Sequence, residues 1–231
     1  MCGIAGWVDY GRDLTLARET VRGMTQTMAR RGPDDEGMWI EGHAALGHRR
    51  LAVIDIAGGH QPMIAREDGA PVAVLIYSGE VYNFRELRAE LEGRGHTFES
   101  HSDTEVVLHA YLEWGEAFPE RLNGMFAFAI WAPLAGRMFI ARDRLGIKPL
   151  YYRWRQGTLT FASELRALLS DPDCPRRVDD ASFDQYLRLQ YVPAPRTMVA
   201  GIAQLPPGST LTLNPDASSP SVRQYWRPHA A

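Results

Sequence analysis

Cys2 is the residue whose type and place most directly suggest chemistry. Removal of Met1 would leave a cysteine with its own α-amine beside its thiol. An ordinary α-amine titrates at about 7.7–8.0 and a thiol at about 8.5, so one residue could supply both a general base and a nucleophile near neutral pH. Position 2 alone also fits a small, inert cysteine at the start of a strand. Cys174, between Asp173 and Pro175 in a polar stretch, reads as a free surface thiol. Two cysteines form neither a disulfide framework nor a zinc site. The chain contains no GxGxxG, GxxxxGK[ST] or HExxH string, and its seven histidines show no ligand spacing. No resident metal or nucleotide is expected.

The elements that must position Cys2 alternate between short apolar strands and amphipathic helices, a pattern that predicts a layered α+β domain. Leu14, Ala17, Val21, Met24 and Met28 recur at three- and four-residue steps, predicting a helix from Leu14 to Arg30 that Gly32-Pro33 ends. A second helix is expected to open at Asn83, with Glu86 three residues on, and a third near Ser102-Asp103, running to Gly115. Another is expected around Ser182 to Leu189. Strands are predicted at Gly3–Asp9, Ala45–Ile56, Val72–Tyr77, Met125–Ala132, Met138–Arg142, Leu150–Trp154, Thr158–Ala162 and Thr210–Leu213. Short turns at 133–137 and 155–157 make antiparallel pairing the expectation. The acidic cluster Asp34-Asp35-Glu36 reads as a solvated turn, and the Pro-richer chain from Asp171 onward, with its polar stretch 214–221, as a domain's trailing edge.

Composition narrows the partners. At 231 residues, with 45% apolar and 23% charged side chains, the chain is expected to bury a core rather than remain disordered. Its net charge of −3 provides no field to draw in nucleic acid. The longest apolar run, Met125–Ala132, is too short to span a membrane, and the start lacks the pattern of a secretory signal. A cytoplasmic location follows as the expectation.

Seven strings, taken together and in order, add a further reading. They are MCGIAG at the start, RGPDDEG at 31–37, LGHRRLAVID at 46–55, YSGEVYNF at 77–84, SDTE at 102–105, ARDRLGIKPLYY at 141–152 and FASEL at 161–165. The series closely resembles the glutaminase domain of class II glutamine amidotransferases over about residues 1 to 213. RGPDDEG is similar to the asparagine synthetase branch of that class. The resemblance implies an α+β, four-layer αββα N-terminal nucleophile hydrolase sandwich of two antiparallel sheets, with Cys2 at the open end of the first strand. It also implies attack of the Cys2 thiolate on the carboxamide of L-glutamine, release of ammonia, and hydrolysis of a thioester to glutamate.

In that family's pattern Arg50 would grip the substrate's α-carboxylate, since a planar guanidinium can meet both oxygens. Glu80 and Asp103 would hold the α-ammonium, with an Asp at 103 also suited to capping the third helix. Backbone groups of Leu51 and Val53 would line the same pocket. Gly79 and Ser78 occupy the oxyanion-hole positions, where the family usually has Asn-Gly. A hydroxyl can still donate but is shorter than a carboxamide, and loss of one such donor costs about 10² to 10³ in kcat. Two readings therefore stand: a working glutaminase, and a glutamine-binding module whose turnover Ser78 has weakened. A peptidase of the same nucleophile class is disfavoured by the apparent glutamine clamp. Arg142, Asp143, Arg144 and Lys148 read as an internal ion-pair loop, and His48 and His101 as bystanders.

No SGGxDS-type phosphate loop is present. The expected organisation is a glutaminase domain over 2–213 and a segment, 214–231, leading toward a synthetase domain not contained in the chain. That domain would be the partner, in cis or in trans, and would carry the need for ATP and magnesium. The glutaminase part is expected to need no cofactor. A homodimer is left open, and the ammonia acceptor is not legible.

Overall fold

The computed structural model describes residues 1–228. Twelve strands, five α-helices and three short 3-10 helices occur among them. The first sheet contains β1 (Gly3–Asp9), β2 (Asp35–Glu41), β3 (Ala44–Arg50), β8 (Tyr151–Arg155), β9 (Thr158–Ala162) and β10 (Ala203–Gln204), in the order β10-β8-β9-β1-β3-β2. The second contains β4 (Met63–Glu67), β5 (Ala70–Val81), β6 (Gly124–Ala132), β7 (Arg137–Arg142), β11 (Ser209–Leu213) and β12 (Ser221–Gln224), in the order β12-β11-β7-β6-β5-β4. Pairing within both sheets is antiparallel.

Period-two alternation explains the layers. Ile4 and Val8 of β1 and Leu46 of β3 meet Val74 and Ile76 of β5 and Ile140 of β7 in one buried cluster between the sheets. The intervening residues of β1, Ala5 and Trp7, face the other way, against α1 (Arg18–Gln26) and α4 (Leu165–Leu168). On the far side, Leu75 and Tyr77 of β5 pack with Leu87 and Leu91 of α2 (Phe84–Gly93) and Val106 to Leu108 of α3 (Asp103–Trp114). The result is the four-layer αββα sandwich.

Several sequence expectations are corrected. The first helix is shorter: residues 14–17 form a 3-10 turn and α1 ends at Gln26, followed by tight turns to Arg31. The strand expected over Ala45–Ile56 stops at Arg50, because Arg50 folds the following loop around its own guanidinium. Asp35 and Glu36 open β2 rather than a turn, held by the pairing of Asp35–Glu41 with β3. Beyond Leu213 the polar stretch leads into β12, which pairs with β11 and forms the sheet edge. The helix expected around Ser182 is α5 (Asp180–Leu189).

Candidate active site

Cys2 precedes β1 at the end of the inter-sheet layer and is half-buried. Its backbone is fixed from two sides: Arg31 Nε and Ser78 Oγ each donate to the Cys2 carbonyl at 2.8 Å. Its sulfur lies 3.4 Å from the Leu51 amide nitrogen, which donates to it, and 3.6 Å from the Leu51 carbonyl oxygen. The Met1 amine donates to the Arg31 carbonyl at 3.0 Å, and burial lowers its pKa. Leu51 thus meets the sulfur through its backbone, as the resemblance implies, while the mostly exposed Val53 lines the mouth of the cavity.

Arg50 ends β3 and is 4% exposed. Its guanidinium donates to the carbonyls of Asp55 at 2.6 Å and Ile56 at 2.8 Å, with Ile54 at 3.5 Å. The loop holds this shape because the Asp55 carboxylate accepts from the amides of His101 at 2.7 Å and Gly58 at 2.9 Å, bonds that pull its pKa down. Gly59 is required beside it, since a Cβ there would lie 2.5 Å from an Arg50 nitrogen. The partners of this buried guanidinium are neutral carbonyls. Its positive charge is therefore uncompensated by a bonded carboxylate, and an anion entering the cavity would relieve that cost.

Asp103 is the first residue of α3 and is buried. The helix cap is Ser102, whose side chain accepts from Thr104 N–H, so the capping role expected of Asp103 belongs to its neighbour. Asp103 Oδ2 accepts from Tyr77 Oη at 2.7 Å and Val81 N at 3.1 Å. Burial raises the Asp103 pKa above the ordinary carboxylate value; these hydrogen bonds oppose it. Tyr77 is pushed well above its usual range by burial and by Asp103. Glu80, half-buried on β5, lines the same cavity.

Gly79 also lines it, and a Cβ there would lie 2.5 Å from the Met125 carbonyl oxygen, so only glycine lets β5 run this close to β6. Ser78 is 1% exposed. Its hydroxyl is directed to the Cys2 carbonyl and not to the cavity wall. One cavity of about 160 Å³ therefore brings together Cys2, Arg50, Leu51, Val53, Gly79, Glu80 and Asp103, with Ser78 behind Cys2.

Sequence reasoning missed two contributors. Arg31, within the quoted RGPDDEG string, anchors the Cys2 carbonyl. Lys148 lines the cavity instead of joining an ion-pair loop. Asp143 is fully buried and is satisfied by the amides of Phe126, Leu145, Ile147 and Lys148, while Arg142 donates to the carbonyls of Gly146, Lys148 and Leu205. Backbone groups, not opposite side-chain charges, hold this loop. His48 is buried between the sheets with Nε2 3.0 Å from the Tyr77 carbonyl, and burial pushes its pKa down to about 4, so it is neutral. Cys174 is buried against Met24, Met28 and Leu168 rather than exposed, and burial raises its pKa.

Facing antiparallel sheets between helical layers, with a cysteine at the head of the first strand, define an N-terminal nucleophile hydrolase type of sandwich. Residues 1–226 match the family model of the glutamine amidotransferase domain, and the chain belongs to that family. It is 44% identical over 227 residues to asparagine synthetase [glutamine-hydrolyzing] 3 of Bacillus subtilis, covering 98% of this chain and 36% of that protein. Asparagine synthetase [glutamine-hydrolyzing] 1 of the same organism is 38% identical, over 94% of this chain and 34% of its own length. The chain thus spans about a third of these curated relatives. Among solved structures, the glutamine phosphoribosylpyrophosphate amidotransferase from B. subtilis, complexed with ADP and GMP, superposes with a TM-score of 0.68 at 20% identity, over 98% of this chain and 50% of that one. A structure described as the allosteric regulatory enzyme of purine biosynthesis gives 0.74 at 20% identity, with the same coverage. Both likenesses are of fold. No helix among the described residues is long and apolar enough to cross a membrane.

Proposed function

We propose that this domain hydrolyses L-glutamine to glutamate and ammonia through a thioester on Cys2. With Met1 removed, the Cys2 amine takes the thiol proton and the sulfur attacks the side-chain carboxamide carbon. The C–N bond breaks as ammonia leaves with a proton returned by the amine. Water then cleaves the thioester, regenerating the thiol. Arg50 grips the α-carboxylate, Glu80 and Asp103 hold the α-ammonium, and the Gly79 N–H faces the developing oxyanion. The observation that carries this reading is the combination, on one small cavity with Cys2, of two carboxylates and a buried guanidinium bonded, among the described residues, only to neutral carbonyls. That is the charge pattern of an amino acid's zwitterionic end.

The ammonia is meant for an ATP-dependent synthetase portion of the kind named in the relatives, in cis or in trans, and ATP and magnesium belong to that portion. The glutaminase unit needs no cofactor. A weakened, glutamine-binding module is the second reading, favoured by one observation: the Ser78 hydroxyl is spent on the Cys2 carbonyl. Purified protein given glutamine should release glutamate and ammonia in equal amounts, and Cys2→Ala should stop release while glutamine still binds. Undiminished release from Cys2→Ala would show that another nucleophile acts, and binding without release by the parent would establish the second reading.

A further inference from the structure

Lys148 lies in the loop after β7, is 5% exposed, and lines the cavity that holds Cys2 and Glu80. Its backbone is clamped: the N–H donates to Asp143 at 2.9 Å and the carbonyl accepts from Arg142 Nε at 2.7 Å. Asp143 is itself fixed by three further amides, so the side chain departs from a rigid base. Among the described residues the hydrogen bonds at Lys148 are those of its backbone. Burying an ammonium in this way is costly unless a negative partner forms beside it.

The other charges around Cys2 have places of their own, although the buried Nη2 of Arg31, off the cavity wall, has no hydrogen-bond partner among the described residues. Arg31 is bonded to the Cys2 carbonyl and lies 3.5 Å from Glu164. Arg50 is held by its loop at the place proposed for the α-carboxylate. Glu80 and Asp103 are negative, and the N-terminal amine is the proposed base. Among the described residues that line the cavity, Lys148 is the remaining side-chain cation.

We infer that the Lys148 ammonium is the counter-charge of the Cys2 thiolate, a positioning charge that raises the reactivity of the nucleophile. The inference rests on the proposed role of Cys2. Burial and the Arg31 charge push the Lys148 pKa down, while Cys2, Asp143 and Glu80 pull it back up, so the ammonium form of Lys148 is favoured by the negative charge around it.

Alkylation by iodoacetamide at pH 7, read peptide by peptide in the full chain, tests this without glutamine. The sulfur–carbon bond forms, iodide leaves and the thiol proton passes to buffer. Lys148→Met should slow Cys2 on the order of tenfold, as expected for removal of a neighbouring opposite charge, and Lys148→Arg should recover most of the rate. Buried Cys174 should stay protected in all variants, which reports an intact fold. If methionine exposes Cys174, Lys148→Gln serves as the neutral variant. An unchanged Cys2 rate with Cys174 still protected overturns the inference, as does an arginine variant as slow as the neutral one. Lys148-dependent alkylation in a protein that hydrolyses no glutamine would sink the proposed reaction alone, while glutamine hydrolysis with Lys148-independent alkylation would sink this inference alone.

Discussion

The cavity at Cys2 and a second cavity on the outer face of the first sheet are both walled by buried charge, yet they treat it differently. The second is larger, about 510 Å³ against about 160 Å³. Strand register builds it from two rows, Trp7–Thr160–Arg153 and Asp9–Thr158–Arg155. There the buried cation is paired with a carboxylate, while Arg12, Arg155 and Asp173 are exposed to solvent. Arg153 pairs with Asp171 at 3.2 Å and donates to the Asp173 carbonyl at 2.7 Å, and Asp9 accepts from Thr158 Oγ1 and the Gly11 amide. At Cys2, by contrast, the bonds of Arg50 and Lys148 leave their positive charges without a bonded carboxylate. Volume is therefore a poor guide to function here. A buried cation closed by a carboxylate stabilises the fold, and a buried cation bonded to neutral carbonyls is ready for an anionic ligand.

The largest expected effect breaks the internally paired cavity. Arg153→Met leaves Asp171 buried without its partner and should destabilise the protein by about 3–5 kcal/mol in denaturant unfolding. Glutamine turnover per folded molecule should stay unchanged; a matching loss of turnover would mean that the two cavities are coupled.

Removing Arg50 should do the opposite. Arg50→Met is expected to raise KM for glutamine by roughly one to two powers of ten, the value of about 1.5–3 kcal/mol for hydrogen bonds to a charged group, and to change kcat less. Steady-state kinetics showing an unaltered KM would remove the α-carboxylate from this position.

Acid should act on the same site through Asp103. Burial raises its pKa, so on acidification the carboxylate takes up its proton before an ordinary one would. Its proposed hold on the α-ammonium would be present above that raised pKa and lost below it. KM should therefore rise on a limb above the ordinary carboxylate value of about 3.9, and Asp103→Asn should show a high KM without that limb. A limb at or below the ordinary value in the parent would contradict the assignment.

Ser78 is expected to give the smallest change. Ser78→Ala removes one of two donors to the Cys2 carbonyl and should lower kcat severalfold, the scale of about 1 kcal/mol for a single hydrogen bond. Ser78→Asn separates the alternatives: kcat should rise on the order of 10-fold if the carboxamide reaches the oxyanion that the serine does not serve. An unchanged or lower kcat would mean that the serine already works where it stands.

How much of this was legible in the sequence depends on whether a residue's environment was local. Gly3–Asp9 and Thr158–Ala162 were readable to the residue because apolar runs bounded by turns carry their own signal. Asp35–Glu41 was not, since its acidic start reads as a turn and only pairing with β3 makes it a strand. Cys174 has polar neighbours in sequence but apolar ones in space, supplied by α1 and α4. The site residues were named through their resemblance to known motifs, and the structure gathers them at one cavity. The direction of the Ser78 hydroxyl and the place of Lys148 on the cavity wall were hidden, because each depends on residues far apart along the chain: 76 residues separate Ser78 from Cys2.

The proposed reaction turns on a covalent γ-glutamyl bond to the sulfur of an N-terminal Cys2. Acid quenching of the protein during turnover, followed by peptide mass analysis, tests it most directly. A γ-glutamyl adduct is expected on a peptide that begins at Cys2, and none in Cys2→Ala. Rapid glutamine hydrolysis by protein that retains Met1, or an adduct on any other residue, would contradict it.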